Sequence, residues 1–417
     1  MRLAIVAINA YSAIAPCAGN RVGGLETFAW SFARAMARQP DVTCQFVVCH
    51  TSQPRRDTVD NVEIHCSVES LRDVRAAVSR DVDISHDFPW MRFRRFHPGL
   101  LWKIPLLAIA KLRGPRPDVN ERIAQQIHNA SPDVVLALGV SNATAAAVAA
   151  AHSQKIPAWV WLQSNSDLND QFLSQDDYID PYHVTSLDAK GSYEADGLIC
   201  QTHWQHDRVR QLLNRDSVII PNPVDSQRFS PGLPTPVART EVLWIGRFDR
   251  HHKRPALALD IAKLCPEVQF HFIINRGDPE VEHQIRLSCP PNVRLTDYIP
   301  SDAMPEMQRN ARLFMSTGSQ TYEGFPNVLL EAAASGTPVV SLEDFDGFLA
   351  RSGAGFSSQN HIEPLAEKIR ELWEMPAGWH AYSQAGIDYV RRWHTLSQCV
   401  STFEQAVLLP LKKERQI

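Results

Sequence analysis

The feature that most restricts this chain is an alternation, sustained over most of its length, between short apolar runs and longer stretches with helical spacing. Parallel strands need long crossovers, and crossover helices cover both faces of the sheet, so this pattern specifies α/β architecture. In the first half the strand-like runs are 3–8, 44–49, 62–66, 133–138, 158–162, 197–201 and 218–220, with helices expected at 142–151 and 203–213. Leu25, Phe28, Ala29, Phe32, Ala33 and Met36 share one helical face, which predicts an amphipathic helix after the first strand. Pro221, Pro223, Pro231, Pro234 and Pro236 then crowd a stretch that suits neither helix nor sheet interior. Beyond it the alternation restarts, with strands expected at 242–245, 269–274, 293–295, 313–316 and 338–341, and helices at 255–264, 327–334 and 364–373. A chain of 417 residues exceeds what one core usually serves, so two successive units of the same architecture are expected. The expected division is 1–220, a linker at 221–236, a second unit at 237–394, and a terminal helix over 395–417.

Composition narrows the partners. Lys and Arg total 42 against 46 Asp and Glu, a net charge of -4, which lacks the footprint of a dedicated nucleic-acid binder. The eight cysteines form no C-x-x-C pair, so they read as small buried residues of a reducing compartment. The N-terminal apolar run is too short for a signal peptide, and no apolar run reaches about 18 residues, so a cytoplasmic protein is expected.

Residues 90–116 depart from the pattern. They hold Arg92, Arg94, Arg95, Lys103, Lys111, Arg113 and Arg116, no acidic residue, and Trp90, Phe93, Phe96 and Trp102 among the apolar ones. Basic and aromatic residues together suit an anionic membrane surface, which would make the protein peripheral at the inner face of a membrane. The plainer alternative is a surface helix or loop packed on the first sheet.

Three places carry chemistry. Gly23 and Gly24 precede a helix, where backbone can approach an anion and helix N–H groups point at it, although the pattern is neither a dinucleotide fingerprint nor a P-loop. After the strand at 242–245, Gly246-Arg247 and Lys253 flank a short basic loop that could converge on one anion. In Glu323-Gly324-Phe325-Pro326-Asn327 through Glu331, Pro326 suits a first helical position, and the glutamates fall about 80° off whole turns with a rise of about 12 Å. Two carboxylates so placed can grip different hydroxyls of one elongated ligand.

The segment Glu323–Glu331, with the Ala-Ser-Gly-Thr-Pro-Val-Val run that follows, resembles the hallmark of family 4 retaining glycosyltransferases of the GT-B class. Gly246-Arg247 with Lys253, the Ile220-Pro221-Asn222-Pro223-Val224-Asp225 segment and Gly23-Gly24 match the same family in the same order. The resemblance implies two Rossmann-like domains facing across a cleft, the acceptor on the first and a nucleotide sugar on the second, with the final helix crossing back. It implies that Arg247 and Lys253 hold the donor diphosphate, that Glu323, Gly324, Phe325, Pro326 and Asn327 hold the transferred sugar, that Glu331 binds the ribose, and that Gly23 and Gly24 approach the phosphates and acceptor. Glu323, Arg247 and Lys253 are then the catalytic set of a retaining, metal-independent hexosyltransferase that takes a UDP- or GDP-linked donor as substrate and has no further cofactor. The acceptor would be a glycan, a lipid-linked molecule or a small molecule, in cell-envelope polysaccharide or glycolipid synthesis.

The chain also departs from that family. A histidine usual at the end of a first-domain strand is missing from Trp161-Leu162-Gln163-Ser164-Asn165-Ser166-Asp167, where Asn165 and Asp167 are the candidates to replace it. Asp344-Phe345-Asp346 spells a metal-binding triplet of another glycosyltransferase architecture but reads as turn chemistry. Trp379, Trp393, Val400, Phe403, Val407 and Leu408 are expected in the core. A sugar-nucleotide epimerase or phosphorylase on the same fold, and a non-catalytic nucleotide-sugar sensor, are the alternatives.

Overall fold

The computed structural model describes residues 1–15, 23–54, 57–84, 90–93, 96–112, 118–232 and 239–414. Along the chain run strands β1 (Arg2–Val6), β2 (Thr43–His50), β3 (Thr58–Val59), β4 (Val62–Val68), β5 (Val82–Ile84), β6 (Met91–Phe93), β7 (Val134–Leu138), β8 (Ala158–Trp161), β9 (Gly197–Cys200) and β10 (Val218–Ile219). All but β5 and β6, which pair with each other in antiparallel fashion, form an eight-stranded sheet in the order β10-β9-β8-β7-β1-β2-β4-β3. The pairs β1–β2, β1–β7, β2–β4 and β9–β10 are parallel, and β3 runs antiparallel to its neighbour β4. Ile5 stands between Phe46 and Leu136 in register, all fully buried, as the uninterrupted apolar runs require of strands covered on both faces.

The second sheet holds β11 (Val242–Arg247), β12 (Phe270–Asn275), β13 (Val293–Thr296), β14 (Leu313–Ser316), β15 (Val339–Ser341) and β16 (Gly355–Ser357), ordered β13-β12-β11-β14-β15-β16 and parallel throughout. Alternate residues of its strands feed opposite cores. Val242 and Trp244 join Phe270 and Phe272 on one side, and Leu243 joins Ile273 and Phe314 on the other.

The chain divides into two compact units, Met1–Val160 with Asp176–Asp196, and Trp161–Gln175 with Gly197–Ile417. In the first, α1 (Gly24–Met36) buries Phe28, Ala29, Phe32, Ala33 and Met36 as its periodicity demands. Helices α2 (Arg72–Asp81) and α3 (Leu100–Leu112) pack through Val78, Val82 and Leu100, with Ile104 and Leu107 against them. The other face of α3 is bare: Leu101 is 68% exposed, Trp102 56% and Ile109 50%, while nearby Trp90 and Phe96 are 68% and 62% exposed. The plainer expectation was a surface helix or loop packed on the first sheet; the covered side of α3 packs with Val78 of α2 and Val82 of β5 instead, and its other side is exposed. Arg94, Arg95, Arg113 and Arg116 lie outside the described residues.

In the second unit α4 (Pro255–Leu264) and α5 (Asn327–Ala334) flank the sheet. The start of the proline-rich stretch is fixed there: Val224 donates to His394 O at 2.9 Å and bridges Thr395, while His394 Nδ1 lies 2.8 Å from Asn222 O. Pro234 and Pro236 lie outside the described residues. Toward the C-terminus Val400, Phe403, Val407 and Leu408 are buried, and Phe403 stacks on Trp161 with the rings 4° apart. Trp379 is buried, but Trp393 is 50% exposed, a correction to its expected core position; the Arg392 guanidinium lies 4.9 Å from its ring. Among the described residues no helix is long and apolar enough to cross a membrane. The described cysteines are free thiols, mostly buried, and burial raises Cys200 to about 11. Cys17 lies outside the described residues.

Candidate functional site

The expected donor-side residues gather in the second unit at the carboxyl ends of β11 and β14, where loops of parallel sheets bind ligands. Gly246 is required because the Trp244 indole fills the space a Cβ would occupy. Asp249 organises the turn that follows. Its Oδ1 accepts the backbone N–H groups of His251 at 2.8 Å and His252 at 2.7 Å, while its Oδ2 takes Arg247 Nε at 3.0 Å and Nη2 at 2.9 Å. Burial opposes charge on Asp249, but these donors outweigh it and hold the carboxyl below the usual range. Burial, reinforced by the Arg247 charge, pushes His252 down to about 4. Its ring is therefore neutral at neutral pH, and Nδ1, 3.2 Å from Arg247 Nη2, accepts from the guanidinium.

Arg254 closes the loop in a left-handed conformation, φ 46°, which for a non-glycine residue costs on the order of 1 kcal/mol. Its guanidinium holds Thr317 O at 2.6 Å, Glu343 Oε1 at 2.7 Å and Asn360 Oδ1 at 3.0 Å. Thr317 Oγ1 in turn donates to Lys253 O at 2.6 Å and accepts from Trp244 Nε1 at 2.9 Å. The backbone on either side of Lys253 is thus fixed to the exit of β14.

Lys253 Nζ meets Glu323 Oε2 at 2.6 Å, with both side chains largely buried. Glu323 Oε1 is buried with no hydrogen-bond partner among the described residues. Burial raises the Glu323 carboxyl above its ordinary range, with Lys253 and Arg247 pulling the other way. An unpaired buried acceptor costs about 1–3 kcal/mol, so a ligand hydroxyl donating to Oε1 would recover that energy. The two expected cations therefore do not converge freely on one point: Arg247 is paired with Asp249 and His252, and Lys253 with Glu323. Both influence Glu323 electrostatically, which places the three in one neighbourhood.

Segment 323–327 is not helical at its start. Pro326 is the N-cap of α5 rather than its first residue, so helical arithmetic does not apply from Glu323; Glu331 lies inside the helix. Burial pushes Glu331 up to about 7, with Arg228 and Lys253 pulling down. Gly324 is forced by close approach: a Cβ there would stand 2.7 Å from both Gln201 Oε1 and Gln205 Nε2. Phe325 N–H donates to Gln201 Oε1 at 3.0 Å, and its ring packs edge-on to Phe348. Asn327 Oδ1 accepts from Asn222 Nδ2 at 2.8 Å. Gln201 also donates to Gln163 Oε1 at 3.0 Å, and its N–H donates to Gln205 Oε1 at 2.8 Å. This glutamine cluster was not foreseen, because residues dispersed at 163, 201 and 205 make no local pattern.

The two candidates for the missing histidine differ in their hydrogen bonding. Asp167 Oδ2 is occupied by the backbone N–H groups of Gln163 at 2.8 Å and Ser164 at 3.1 Å, within a capping box. Asn165 donates to Gln320 O at 2.6 Å, leaving Oδ1 buried without a hydrogen-bond partner among the described residues. Asp344 caps the backbone of Leu349 and Ala350, and Asp346 binds His203, Trp204 N–H and Arg351. In the first unit, Gly23 is the extended N-cap of α1, and its carbonyl accepts Thr27 Oγ1 at 2.9 Å; Gly24 is the first helical residue. Residues 20–22 of that loop lie outside the described residues.

Residues 239–375 match the family model described as glycosyl transferases group 1. The matched residues lie wholly within the second unit. A phosphatidyl-myo-inositol mannosyltransferase from Mycobacterium leprae is 29% identical over 198 residues, 44% of this chain and 51% of that protein, so the match spans about half of the curated relative. Two solved structures align over nearly the whole chain. Sucrose-phosphate synthase from Thermosynechococcus elongatus superposes with a TM-score of 0.65 at 15% identity, covering 99% of this chain and 100% of its own. An α,α-trehalose-phosphate synthase (UDP-forming) from Burkholderia xenovorans superposes at 0.67 and 13% identity, covering 97% and 99%. The fold is accordingly GT-B, with two parallel-sheet α/β domains. Within the residues that match this family model lie Arg247, Lys253, Glu323 and Glu331.

Proposed function

We propose that the chain transfers a hexose from a nucleotide sugar to an acceptor hydroxyl with retention of anomeric configuration. The observation that carries this reading is the buried Lys253–Glu323 pair with Glu323 Oε1 left open, since it supplies a fixed cation and an unsatisfied acceptor side by side. The group 1 family match and the mannosyltransferase relative support sugar transfer. In this reading the second unit binds a UDP- or GDP-linked donor, with Lys253 and Arg247 facing the diphosphate, Glu323 and Gly324 the sugar, and Glu331 the ribose. The Phe325 amide is already bound to Gln201, so its part is to position the Glu323–Gly324 turn.

The acceptor oxygen forms its bond to the anomeric carbon on the face from which the diphosphate departs. Its proton passes to a leaving phosphate oxygen, and Lys253 and Arg247 meet the remaining charge, so neither a protein nucleophile nor a metal is required. Donor entry exchanges the Lys253–Glu323 contact for ligand contacts on both groups. The first unit receives the acceptor, with Gly23 and Gly24 beside it, and the exposed rings of 90–112 rest on an anionic membrane surface, consistent with a cell-envelope glycan or glycolipid acceptor.

Thermal-shift titration with UDP, GDP and ADP tests the donor class, and transfer by wild type against Glu323→Ala tests the site. Full transfer by the variant removes Glu323 from the mechanism. Sedimentation with anionic vesicles tests the membrane contact, and binding unchanged after Arg92→Gln with Lys103→Gln rejects the electrostatic part of it.

A further inference from the structure

The first unit contains a cavity of about 170 Å³ at the carboxyl ends of β1, β2 and β4, lined among others by Ile8, Cys49, Glu69, Arg72, Arg75 and Arg122. Its charge is unbalanced: the lining carries three guanidinium groups and one carboxylate. Glu69 takes Arg75 on Oε1 and Arg122 on Oε2, the latter at 3.0 Å, and is itself only 8% exposed. Arg72 Nη1 donates to Ile8 O at 3.2 Å and also to Cys49 O, and Nη2 donates to Asn9 Oδ1, so no carboxylate among the described residues neutralises it. Arg122 Nε is buried with no hydrogen-bond partner among the described residues.

Position adds to this imbalance. Arg72 and Arg75 begin α2, at the end where the helix dipole already favours negative charge, so cations there are disfavoured unless an anion joins them. Asp73 in the same turn is exposed and not part of the lining. Excess guanidinium, an orphaned buried donor and a helix N-terminus at a parallel sheet's carboxyl edge together make an anion site, and planar guanidinium forks match phosphate oxygens.

We propose that this cavity binds a phosphate group carried by the acceptor, with Arg75 and Arg122 turning partly from Glu69 to the phosphate and Arg72 supplying a fixed charge behind them. Its role as an acceptor subsite rests on the transfer reaction proposed above, whereas anion binding does not. The phosphate is either a soluble sugar monoester or the diester of a lipid headgroup.

Calorimetric titration of the full chain with inorganic phosphate, a hexose 6-phosphate and dihexanoyl phosphatidylglycerol below its micelle concentration separates the sources. Saturable binding of the sugar monoester or of the diester, weakened at least tenfold by Arg75→Gln, supports the site and names its source. No binding of any probe, or binding equal in the variant, overturns it. Nucleoside-diphosphate binding by the same variant checks that it is folded and reads the donor site independently, so failure of either proposal is visible alone. If Arg75→Gln does not fold, hydrogen exchange on the wild type decides: the bound probe must slow exchange over 67–75 and 119–123, and unchanged exchange there overturns the site.

Discussion

Around Lys253 and Glu323 the second unit hides charge, whereas along Trp90 to Ile109 the first unit shows aromatic rings to water. Both regions reverse the usual sorting of residue types, and the reversals are supported differently. The buried charges stand on a loop tied by Asp249, Arg254 and Thr317. The exposed side chains of α3 stand opposite Leu100, Ile104 and Leu107, which pack with Val78 and Val82. A fixed buried charge is prepared for a small ligand, and an unsupported apolar face is prepared for a surface that covers it. Breaking the first should therefore damage folding and turnover together, and breaking the second should spare both.

Lys253→Ala gives the largest expected effect. If Lys253 faces the departing diphosphate as proposed, its loss should lower kcat by about 10²–10³, or roughly 3–4 kcal/mol of transition-state stabilisation. The buried Glu323 left behind lowers stability by up to about 3 kcal/mol, moderated by its protonation. Adding Glu323→Gln should restore the melting temperature without restoring transfer. Unchanged turnover in Lys253→Ala would erase the contrast between the regions.

Glu331 should make this buried neighbourhood sensitive to pH. Its folded pKa, about 7, lies above its ordinary 4.5, so its favourable contribution is complete below about 4.5 and lost as pH rises through 7. The span corresponds to at most about 3.5 kcal/mol, since each unit is about 1.4 kcal/mol. Urea midpoints of wild type and Glu331→Gln should diverge in their pH slopes over that window, the variant being flatter. Parallel slopes would place Glu331 in water.

On the exposed side, Leu101→Ser with Trp102→Ser should weaken anionic-vesicle binding by about tenfold or more per residue, since burying each side chain is worth roughly 1.5–3 kcal/mol. Stability should move by less than about 0.5 kcal/mol, as at other exposed positions. A large fall in melting temperature would show that these rings pack within the protein and would remove the comparison.

Most strands, though not the short β3, β5, β6 and β16, and the segments that hold Arg247, Lys253, Glu323 and Glu331 were legible because their signals are local. Apolar runs sit between helix-length stretches, and Arg247, Lys253, Glu323 and Glu331 each belong to a short segment with its own glycine or proline. Pairings were not legible. Lys253 and Glu323 lie 70 residues apart, and nothing in either segment says that the cation meets the carboxylate. The same limit hid the arginine cavity, where Arg122 reaches Glu69 across 53 residues. Exposure was hidden for another reason: Leu101, Trp102 and Ile109 have the spacing of a core-facing stripe, and only packing shows that Leu100, Ile104 and Leu107 took that role.

The smallest expected effect tests how the buried region is held. Gln201 accepts from Phe325 N–H and donates to Gln163, so it joins the turn carrying Glu323 to the segment after β8, and among the described residues its hydrogen bonds reach none of the charged side chains. Gln201→Leu keeps the bulk beside Gly324 but leaves the Phe325 amide and the Gln163 carbonyl group without those partners, at a cost of about 1–2 kcal/mol. If the turn is positioned by this bond, kcat should fall severalfold while KM for the donor changes less, because Lys253 and Arg247 remain in place. Gln201→Glu keeps an acceptor for Phe325 N–H and should recover most of the lost kcat. A Leu variant with unaltered kcat would show that the loop clamped by Asp249 and Arg254 positions the pair unaided, and the glutamines would then serve packing alone.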